Sequence, residues 1–250
     1  MSTSQKTKSK SSVKVVIPAR FDSKRFPGKI LAPILDKPMI QHVYERAVQS
    51  DADEVIVATD TDEIRKECEA FGATVVMTGK FHTSGTDRIR EVAEELGWSN
   101  STPIVNVQGD SPLIAPSSIN QVASYLKDNR MATLAVPITD PGEFFNRNVV
   151  KVVMDAMNNA LYFSRSPIPN QTVTDKVDAY RHLGIYGYTV ATLVQLTGCP
   201  PVWTERLECL EQLRALQLGI KIKVGLAKEP HLQDVDTPDD IEIVERILSQ

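Results

Sequence analysis

The sequence has few cysteines and no long apolar run, and these absences exclude several classes of protein. Its three cysteines, Cys68, Cys199 and Cys209, are widely spaced, which fits neither a metal-ligand pattern nor a disulfide framework. The longest apolar runs are too short for a membrane span, and no apolar segment follows the N-terminal lysines as in a secretory signal. We therefore expect a protein of the reducing cytoplasm, without a membrane span.

The sequence also has little excess charge, with a formal net charge of −4. Four of its 28 basic residues lie in the first 14 residues, which contain no acid, so the rest has 24 basic and 32 acidic residues, a net charge of −8. An acidic body argues against nucleic-acid binding. Residues 1–12 are rich in Ser, Thr and Lys and predict a disordered tail, with contact to an anionic surface as the alternative.

Apolar strand patterns and helical spacings alternate through the first half of the sequence. Strands are predicted at 13–17, 54–59, 74–77 and 103–108, and helices at 38–47, 60–71 and 86–96. This alternation is typical of βαβ units that form a parallel sheet. In the second half, strands at 131–138, 149–154, 159–163, 184–188 and 221–226 and helices at 189–196, 205–216 and 238–248 predict mixed or antiparallel connections.

The segment 18–29 follows the first predicted strand and combines prolines, a glycine and four cations: Arg20, Lys24, Arg25 and Lys29. Gly28 permits a close backbone approach, and the free amides of a turn can form a concavity that binds anions. The loop could therefore hold a triphosphate, although an ordinary solvated basic loop fits the composition equally well. Neither the Walker A spacing nor the Rossmann glycine spacing is present.

Two aspartates lie just after a predicted strand or just before a predicted helix. Asp110 ends the segment Val-Gln-Gly-Asp, and Asp236 precedes Thr237-Pro238 at the start of the last helix. Magnesium takes one or two carboxylates and completes its shell with water and phosphate oxygens. A Gly-Asp turn and a helix cap are the alternative roles.

The segment 82–88, His-Thr-Ser-Gly-Thr-Asp-Arg, is a further candidate for ligand contact. Ser84, Thr86 and the following amides could contact a ligand or cap a helix. Arg88 could form a two-pronged bond with a carboxylate or phosphate, or it could lie on a solvated helix face.

A histidine and two tyrosines recur in the segment 180–188. Strand alternation places His182, Gly184, Tyr186 and Tyr188 on one face. Such a face could bind a polyhydroxylated ligand or pack against a helix.

Taken together and in this order, these segments resemble the CMP-Kdo synthetase family, the 3-deoxy-manno-octulosonate cytidylyltransferases. The matching stretches are 17–20, 25–29, 37–40, 57–60, 82–88, 105–110, 131–134, 160–165, 181–186, 210–214 and 235–238. The resemblance implies an α/β, Rossmann-like nucleotidyltransferase fold, with a mostly parallel central sheet flanked by helices and a smaller mixed-strand lobe. It also implies a homodimer that uses Mg²⁺ and transfers CMP from CTP to the anomeric hydroxyl of Kdo, releasing pyrophosphate, for lipopolysaccharide synthesis in a Gram-negative bacterium.

The resemblance also divides the chain and assigns residues. After the tail it implies a single domain over 13–250, with a nucleotide-binding half at about 13–130, a sugar-binding and dimerisation half at about 131–230, and a closing segment at 231–250. The implied nucleotide contacts are Pro18, Ala19, Arg20, Arg25, Lys29, Ser84, Gly85, Gln108 and Gly109. The implied sugar contacts are Arg88, Gln108, His182, Tyr186, Glu211 and Gln212. The implied catalytic residues are Lys29, Gln108, Asp110 and Asp236, of which the two aspartates would hold the metal.

Two departures from the family pattern leave the identity of the sugar acid open. Ser111 follows Gln-Gly-Asp where the family usually has Glu, so one charge near the proposed metal is missing. The segment 170–178 lacks the family's frequent aromatic and acidic residues. The alternatives are the same reaction on 8-amino-Kdo or a nonulosonate, and a non-catalytic CTP-binding protein on the same fold.

Overall fold

The computed structural model describes residues 12–21, 26–171, 178–230 and 234–250. Arg25, the predicted tail 1–12 except Ser12, and most of the segment 170–178 lie outside the described residues. The strands are β1 Lys14–Ala19, β2 Pro33–Ile34, β3 Lys37–Pro38, β4 Glu54–Thr59, β5 Thr74–Met77, β6 Pro103–Asn106, β7 Met131–Pro137, β8 Lys151–Met154, β9 Ala160–Ser164, β10 Tyr180–Thr189 and β11 Lys223–Leu226. The helices are α1 Met39–Val48, α2 Asp62–Ala70, α3 Gly85–Glu95, α4 Pro116–Tyr125, α5 Pro141–Phe145, α6 Val190–Thr197, α7 Trp203–Glu208, α8 Gln212–Gln217 and α9 Pro238–Leu248, with a short 3-10 helix at Lys29–Leu31.

One sheet runs through both halves of the chain in the order β11-β7-β10-β6-β1-β4-β5. In the first half, β6, β1, β4 and β5 are parallel, as the alternation of strands and helices predicts. In the second half, β10 is antiparallel to both β6 and β7, and β8 and β9 form a hairpin beside β10. The predicted α/β fold, with a parallel first half and a mixed second half, is therefore confirmed.

Helices cover both faces of the sheet because its strands are apolar on both sides. In β1, Val16 packs in a core with α3, α6 and α8, whereas Val15 and Ile17 pack in a second core with α1, α2 and α4. Strands that are buried on both faces are typical of parallel sheets. Among the described residues, no helix has the length and apolar character needed to cross a bilayer.

The secondary structure predicted from the sequence was incomplete in places. The helix α4 and the short α5 were not predicted, and β10 extends four residues before the predicted strand 184–188. The single helix predicted at 205–216 is wrong, because the chain turns at Cys209, whose φ of 54° lies in the left-handed region. That turn separates α7 from α8.

The C-terminal helix α9 returns to the N-terminal half of the molecule. Val244 and Val235 are fully buried in a small core with Ile34, Met39 and Leu113. The amide of Val235 donates to the carbonyl oxygen of Asp110 at 2.9 Å. This docking brings the segment around residue 236 to the carboxyl end of β6.

Candidate active site

An open cleft of about 730 Å³ lies at the carboxyl ends of β1 and β6, where a doubly wound sheet binds its ligands. The segment after β1, the N-terminus of α3, the turn after β6 and the segment before α9 form its walls. The lining residues are Pro18, Arg20, Phe21, Pro27, Lys29, Ile30, His82, Thr83, Ser84, Gly85, Arg88, Gln108, Gly109, Asp110 and Asp236. The cleft therefore brings together the predicted basic loop, both predicted metal carboxylates and the segment 82–88.

Lys29 joins three segments of the cleft. Its Nζ lies 2.5 Å from Oδ2 of Asp110 and 3.9 Å from Oδ1 of Asp236, and it donates to the carbonyl oxygen of Val235 at 3.0 Å. The helix cap before α9 is Thr237, and Oδ2 of Asp240 accepts from the amide and the hydroxyl of that threonine. Asp236 is therefore not the cap residue, and its side chain lines the cleft.

The two carboxylates fit a magnesium ion. Burial raises the pKa of the Asp110 carboxyl above its usual value; Lys29 opposes this rise, and the charges of Asp234 and Asp236 add to it. The cluster thus holds more negative than positive charge, which a divalent cation would offset. The described residues contain no group of three or more His, Cys, Asp or Glu side chains suited to a metal, so the donor set is small. Magnesium tolerates this because it keeps water and phosphate oxygens in its shell.

Two glycines allow the walls of the cleft to approach each other. Gly28 has a φ of 71°, a left-handed conformation that glycine adopts without steric cost, and it starts the turn that places Lys29. A Cβ on Gly109 would lie 3.0 Å from Cδ1 of Ile30 and 3.1 Å from the carbonyl oxygen of Pro18. Any side chain at position 109 would therefore push the turn after β6 away from β1.

The N-terminus of α3 faces the cleft. Ser84 is its cap residue, because its Oγ accepts from the amide of Asp87 at 3.1 Å, and both Ser84 and Gly85 line the cleft. Thr86, the cap considered from sequence, instead donates its hydroxyl to Oε2 of Glu211 at 2.9 Å. The helix presents its positive end to any anion bound in the cleft.

Arg88 reaches the cleft from a buried position, being 3% exposed. Its Nη2 lies 2.7 Å from Oδ2 of Asp60, and its Nη1 donates to the hydroxyl of Thr78. Burial raises the pKa of Asp60, but the hydrogen bond and charge of Arg88 outweigh it, so the net shift is below the usual value. The alternative of a solvated Arg88 is therefore wrong.

The predicted sugar residues occupy two different environments. Gln108 lines the cleft, and its Nε2 donates to the carbonyl oxygen of Gly184 on β10 at 3.4 Å. His182 and Tyr186 lie behind that carbonyl, with ring centroids 5.2 Å apart, and Tyr188 stacks on Tyr186 at 6.0 Å. The predicted common face of these rings on β10 is confirmed, but none of the three lines the cleft.

Glu211 and Gln212 lie at the start of α8, behind the N-terminus of α3. Burial raises the pKa of the Glu211 carboxyl, although the hydroxyl of Thr86 opposes the rise. Its Oε1 is buried and has no hydrogen-bond partner among the described residues. Gln212 is 8% exposed. Neither residue lines the cleft described above.

Comparison with known proteins identifies the family. Residues 14–222 match the model of a protein family described as Cytidylyltransferase. The 3-deoxy-manno-octulosonate cytidylyltransferase of Pseudomonas fluorescens is 49% identical over 246 residues, which cover 94% of this chain and 97% of that protein. The chain belongs to the 3-deoxy-manno-octulosonate cytidylyltransferase family. The protein of the same name from Vibrio cholerae serotype O1 is 48% identical, with the same coverage.

Solved structures agree with this family. The structure of CMP:2-keto-3-deoxy-manno-octonic acid synthetase complexed with CTP is 39% identical, with a TM-score of 0.90, and the match covers 96% of this chain and 99% of that chain. A 4-diphosphocytidyl-2C-methyl-D-erythritol synthase, 14% identical with a TM-score of 0.65, shares the fold alone. The resemblance stated from the sequence motifs is thus confirmed for the family and the fold.

Sequence reasoning missed several residues that the cytidylyltransferase fold brings to the cleft. Phe21, Pro27, Ile30, His82 and Thr83 line it, although none was predicted as a site residue. All of them except Ile30 lie in segments that had been singled out, but which side chains turn inward depends on the three-dimensional path of the loops. The pairing of Arg88 with the end of β4 was also missed, although the matching stretch 57–60 ends on the carboxylate concerned.

Two further residues named from sequence, Ala19 and Ser111, lie off the cleft. Ala19 is fully buried at the end of β1 and does not line it. Ser111, which replaces the usual family Glu, is 6% exposed, and its amide donates to the carbonyl oxygen of Gln108 at 3.2 Å. The missing charge is therefore not on the lining of the cleft.

Proposed function

We propose that this protein transfers CMP from CTP to the sugar acid Kdo, producing CMP-Kdo and pyrophosphate. One observation carries the proposal beyond family membership. Asp110 and Asp236 converge on Lys29 in a cleft that also presents Arg20 and the N-terminus of α3. The arrangement suits a nucleoside triphosphate with its metal ion.

In the proposed reaction, the anomeric hydroxyl of the sugar attacks the α-phosphorus of CTP in line with the leaving group. The new bond joins the sugar oxygen to the α-phosphorus, and the proton of the hydroxyl is released to water. The bond from that phosphorus to the oxygen that bridges the α- and β-phosphates breaks, and pyrophosphate leaves with that electron pair. Such a transfer needs positioning and charge neutralisation more than a protein nucleophile. The negative charge of the phosphates would be neutralised by Arg20, Lys29 and the amides at the start of α3.

Magnesium is proposed as the cofactor, with Asp110 and Asp236 as its carboxylate ligands. Bound there, the ion would polarise the α-phosphate and lower the pKa of the attacking hydroxyl. The contribution of Lys29 is to hold both carboxylates on one side of the cleft, since its Nζ contacts the first and lies 3.9 Å from the second. The surplus of negative charge around Asp110 supports this assignment.

The sugar is proposed to bind where Gln108 meets β10. Gln108 is the one predicted sugar contact that both lines the cleft and bonds to β10. His182 lies two residues before the carbonyl that Gln108 contacts and is proposed as a further sugar contact on β10. Glu211 supplies a buried oxygen behind α3 without a partner among the described residues, which suits a hydroxyl-rich ligand.

The test is pyrophosphate release from CTP and Mg²⁺ with Kdo, 8-amino-Kdo and a nonulosonate in parallel. We expect the largest kcat/KM with Kdo, and little release when UTP or ATP replaces CTP. Release with a nonulosonate alone would overturn the choice of sugar but keep the reaction. Tight CTP binding without release on any sugar acid would instead support the non-catalytic alternative.

Three further properties belong to the same proposal. A homodimer is supported by apolar side chains on the second half, since Leu161, Trp203 and Leu207 are 60–75% exposed; light scattering on the purified protein would test it. A cytoplasmic location is supported by the free thiols of all three cysteines. Lipopolysaccharide assembly is the proposed use of the product, since it follows from the choice of Kdo.

A further inference from the structure

Glu91 contacts two points of the segment that leads from β5 into the cleft. This segment comprises residues 79–84, between β5 and α3, and its last three residues line the cleft. Oε2 of Glu91, on α3, accepts from the amide of Gly79 at 2.8 Å and also bonds to Nε2 of His82. One carboxylate oxygen therefore holds both the start of the segment and its first residue on the cleft.

The Glu91 carboxyl is charged and accepts both hydrogens. Burial raises its pKa, but the amide of Gly79, the ring of His82 and the charge of Arg88 lower it, and the net pKa lies below its usual value. A carboxylate has no hydrogen to donate. Nε2 of His82 therefore carries a hydrogen and donates it to Glu91, whatever the charge of the ring.

The ring of His82 is also held by a neighbouring ring of the same segment. The His82 side chain is only 10% exposed, and the ring of Phe81 lies against it with 4.5 Å between centroids. The Phe81 ring in turn fills the space that a Cβ on Gly79 would occupy. The segment is therefore folded back on itself and fixed to α3 by Glu91.

The fixed ring forms part of the cleft wall next to predicted nucleotide contacts. His82 and Thr83 line the cleft and are followed directly by Ser84 and Gly85, the predicted contacts at the start of α3. His82 and Thr83 also line a neighbouring hollow of about 420 Å³, which Glu91 lines as well. The bond to Glu91 thus fixes a side chain that lies between the two hollows.

We propose that Glu91 is a positioning residue for the nucleotide, because it holds His82 in the cleft wall at the start of α3. Glu91 does not line the cleft itself, so it acts through the segment that it anchors. The assignment of the nucleotide to this wall rests on the proposed function, whereas the anchoring of the segment by Glu91 does not.

The first test measures the affinity for CTP by titration calorimetry in the presence of Mg²⁺. Glu91→Ala should raise the Kd of CTP by about 10-fold, which corresponds to about 1.4 kcal/mol. Glu91→Gln should stay within about threefold of the wild type, because both contacts use a single oxygen, which the amide of glutamine retains. Wild-type affinity in Glu91→Ala, or an equal loss in both variants, would overturn the proposal.

The matched control is Glu94→Ala, on the same helix. Glu94 is more exposed than Glu91 and accepts from Nε of Arg90 at 2.7 Å. Its loss should change the Kd of CTP by no more than about twofold. Equal losses of CTP affinity in the two alanine variants would mean that the charge or stability of the helix is responsible, and would likewise overturn the proposal.

A double-mutant cycle tests whether Glu91 acts through His82. In the His82→Ala background, Glu91→Ala should weaken CTP binding by less than about threefold, because the effects of residues that act as a unit do not add. Fully additive losses would show that Glu91 acts by another route, which contradicts the proposed positioning role.

A last measurement depends on neither CTP nor turnover. Hydrogen exchange of the Gly79 amide in the full-length protein should be about 10-fold faster in Glu91→Ala and unchanged in Glu94→Ala. If exchange and CTP affinity respond as expected but no sugar acid supports pyrophosphate release, the proposed function fails and the role of Glu91 stands. If Kdo and CTP are substrates but neither exchange nor CTP affinity responds, the inference fails and the function stands.

Discussion

The two halves of the proposed site differ in how exposed their side chains are and in how many of them are paired or buried within the protein. On the nucleotide side, Arg20 is exposed and the side chain of Asp236 is 48% exposed, so their charges face the open cleft. On the sugar side, Arg88 is paired with Asp60, and Gln212 is buried. The nucleotide half thus presents charged side chains to the open cleft, whereas side chains of the sugar half are paired or buried within the protein.

This difference predicts two kinds of variant. Removing an exposed charge from the nucleotide half should lower activity without lowering stability. Removing a buried group from the sugar half should lower both, because a buried partner is left unpaired. The following predictions test this contrast, starting with the largest expected effect.

Asp110→Asn should lower kcat by about 1,000-fold or more, because it removes a charge that positions the metal and Lys29 at the reacting phosphate. Far-ultraviolet circular dichroism and Tm should remain close to wild type, because burial disfavours the charged form of Asp110 and Lys29 keeps its contacts with Val235 and Asp236. The control is Asp128→Asn, an exposed aspartate outside the cleft, which should keep full activity. Wild-type turnover by Asp110→Asn would refute the metal assignment.

Arg88→Met should lower the free energy of unfolding by about 3 kcal/mol, because it leaves the charge of the half-buried Asp60 without its ion-pair partner. The Tm should fall by roughly 6–12 °C. Arg90→Met on the same helix is the control, since Arg90 is more exposed and pairs with Glu94 four residues later; it should cost less than about 1 kcal/mol. Similar losses of unfolding free energy in both variants would show that the burial of Arg88 does not increase its contribution to stability.

Arg20→Ala should raise the KM for CTP by about 10-fold and leave the KM for Kdo unchanged, because it removes one charge-assisted contact to phosphate. The free energy of unfolding should change by no more than about 0.5 kcal/mol, as expected of a surface substitution, so the Tm should stay close to wild type. Lys127→Ala removes an exposed cation elsewhere and controls for the change in net charge. A large drop in Tm for Arg20→Ala would contradict the contrast between the two halves.

The smallest expected effect is the pH dependence of the ion pair between Asp60 and Arg88. The pKa of Asp60 in the folded protein is below its ordinary value of 3.8, so the charged pair stabilises the fold above that pH. The stabilisation is lost as the pH falls through the lower pKa of the folded state. The difference in unfolding free energy between wild type and Asp60→Asn should therefore shrink below about pH 4. A difference that stays constant down to pH 2 would rule out this linkage.

Much of the parallel half could be predicted from sequence because burial on both faces leaves a clear pattern. The runs that form β1 and β4 are rich in apolar and β-branched residues, and most of their residues are buried. The rule that ligands bind at the carboxyl ends of such strands also placed Asp110 at the cleft. The position of Asp236 depends in addition on the docking of α9 against the N-terminal half.

The parts that could not be predicted depend on contacts between distant residues. Whether Arg88 is solvated or buried is decided by Asp60 and Thr78, which belong to other elements. The break between α7 and α8 occurs at Cys209, and no glycine or asparagine there indicates a left-handed turn. The bulge in β10 between Leu183 and Tyr186 depends likewise on the register against β7, which no local pattern of β10 specifies.

Lys29 contacts a segment that is synthesised late, and this limits how early during synthesis the enzyme can become active. Its ammonium group bonds to a carbonyl 206 residues further along the chain. A ribosome adding about 5–20 residues per second needs roughly 10–40 s to cover that distance. During that interval the first strands and their helices are already made, but the wall of the cleft next to Asp110 is missing. We therefore expect that a nascent chain does not consume CTP before the last helix is free to dock.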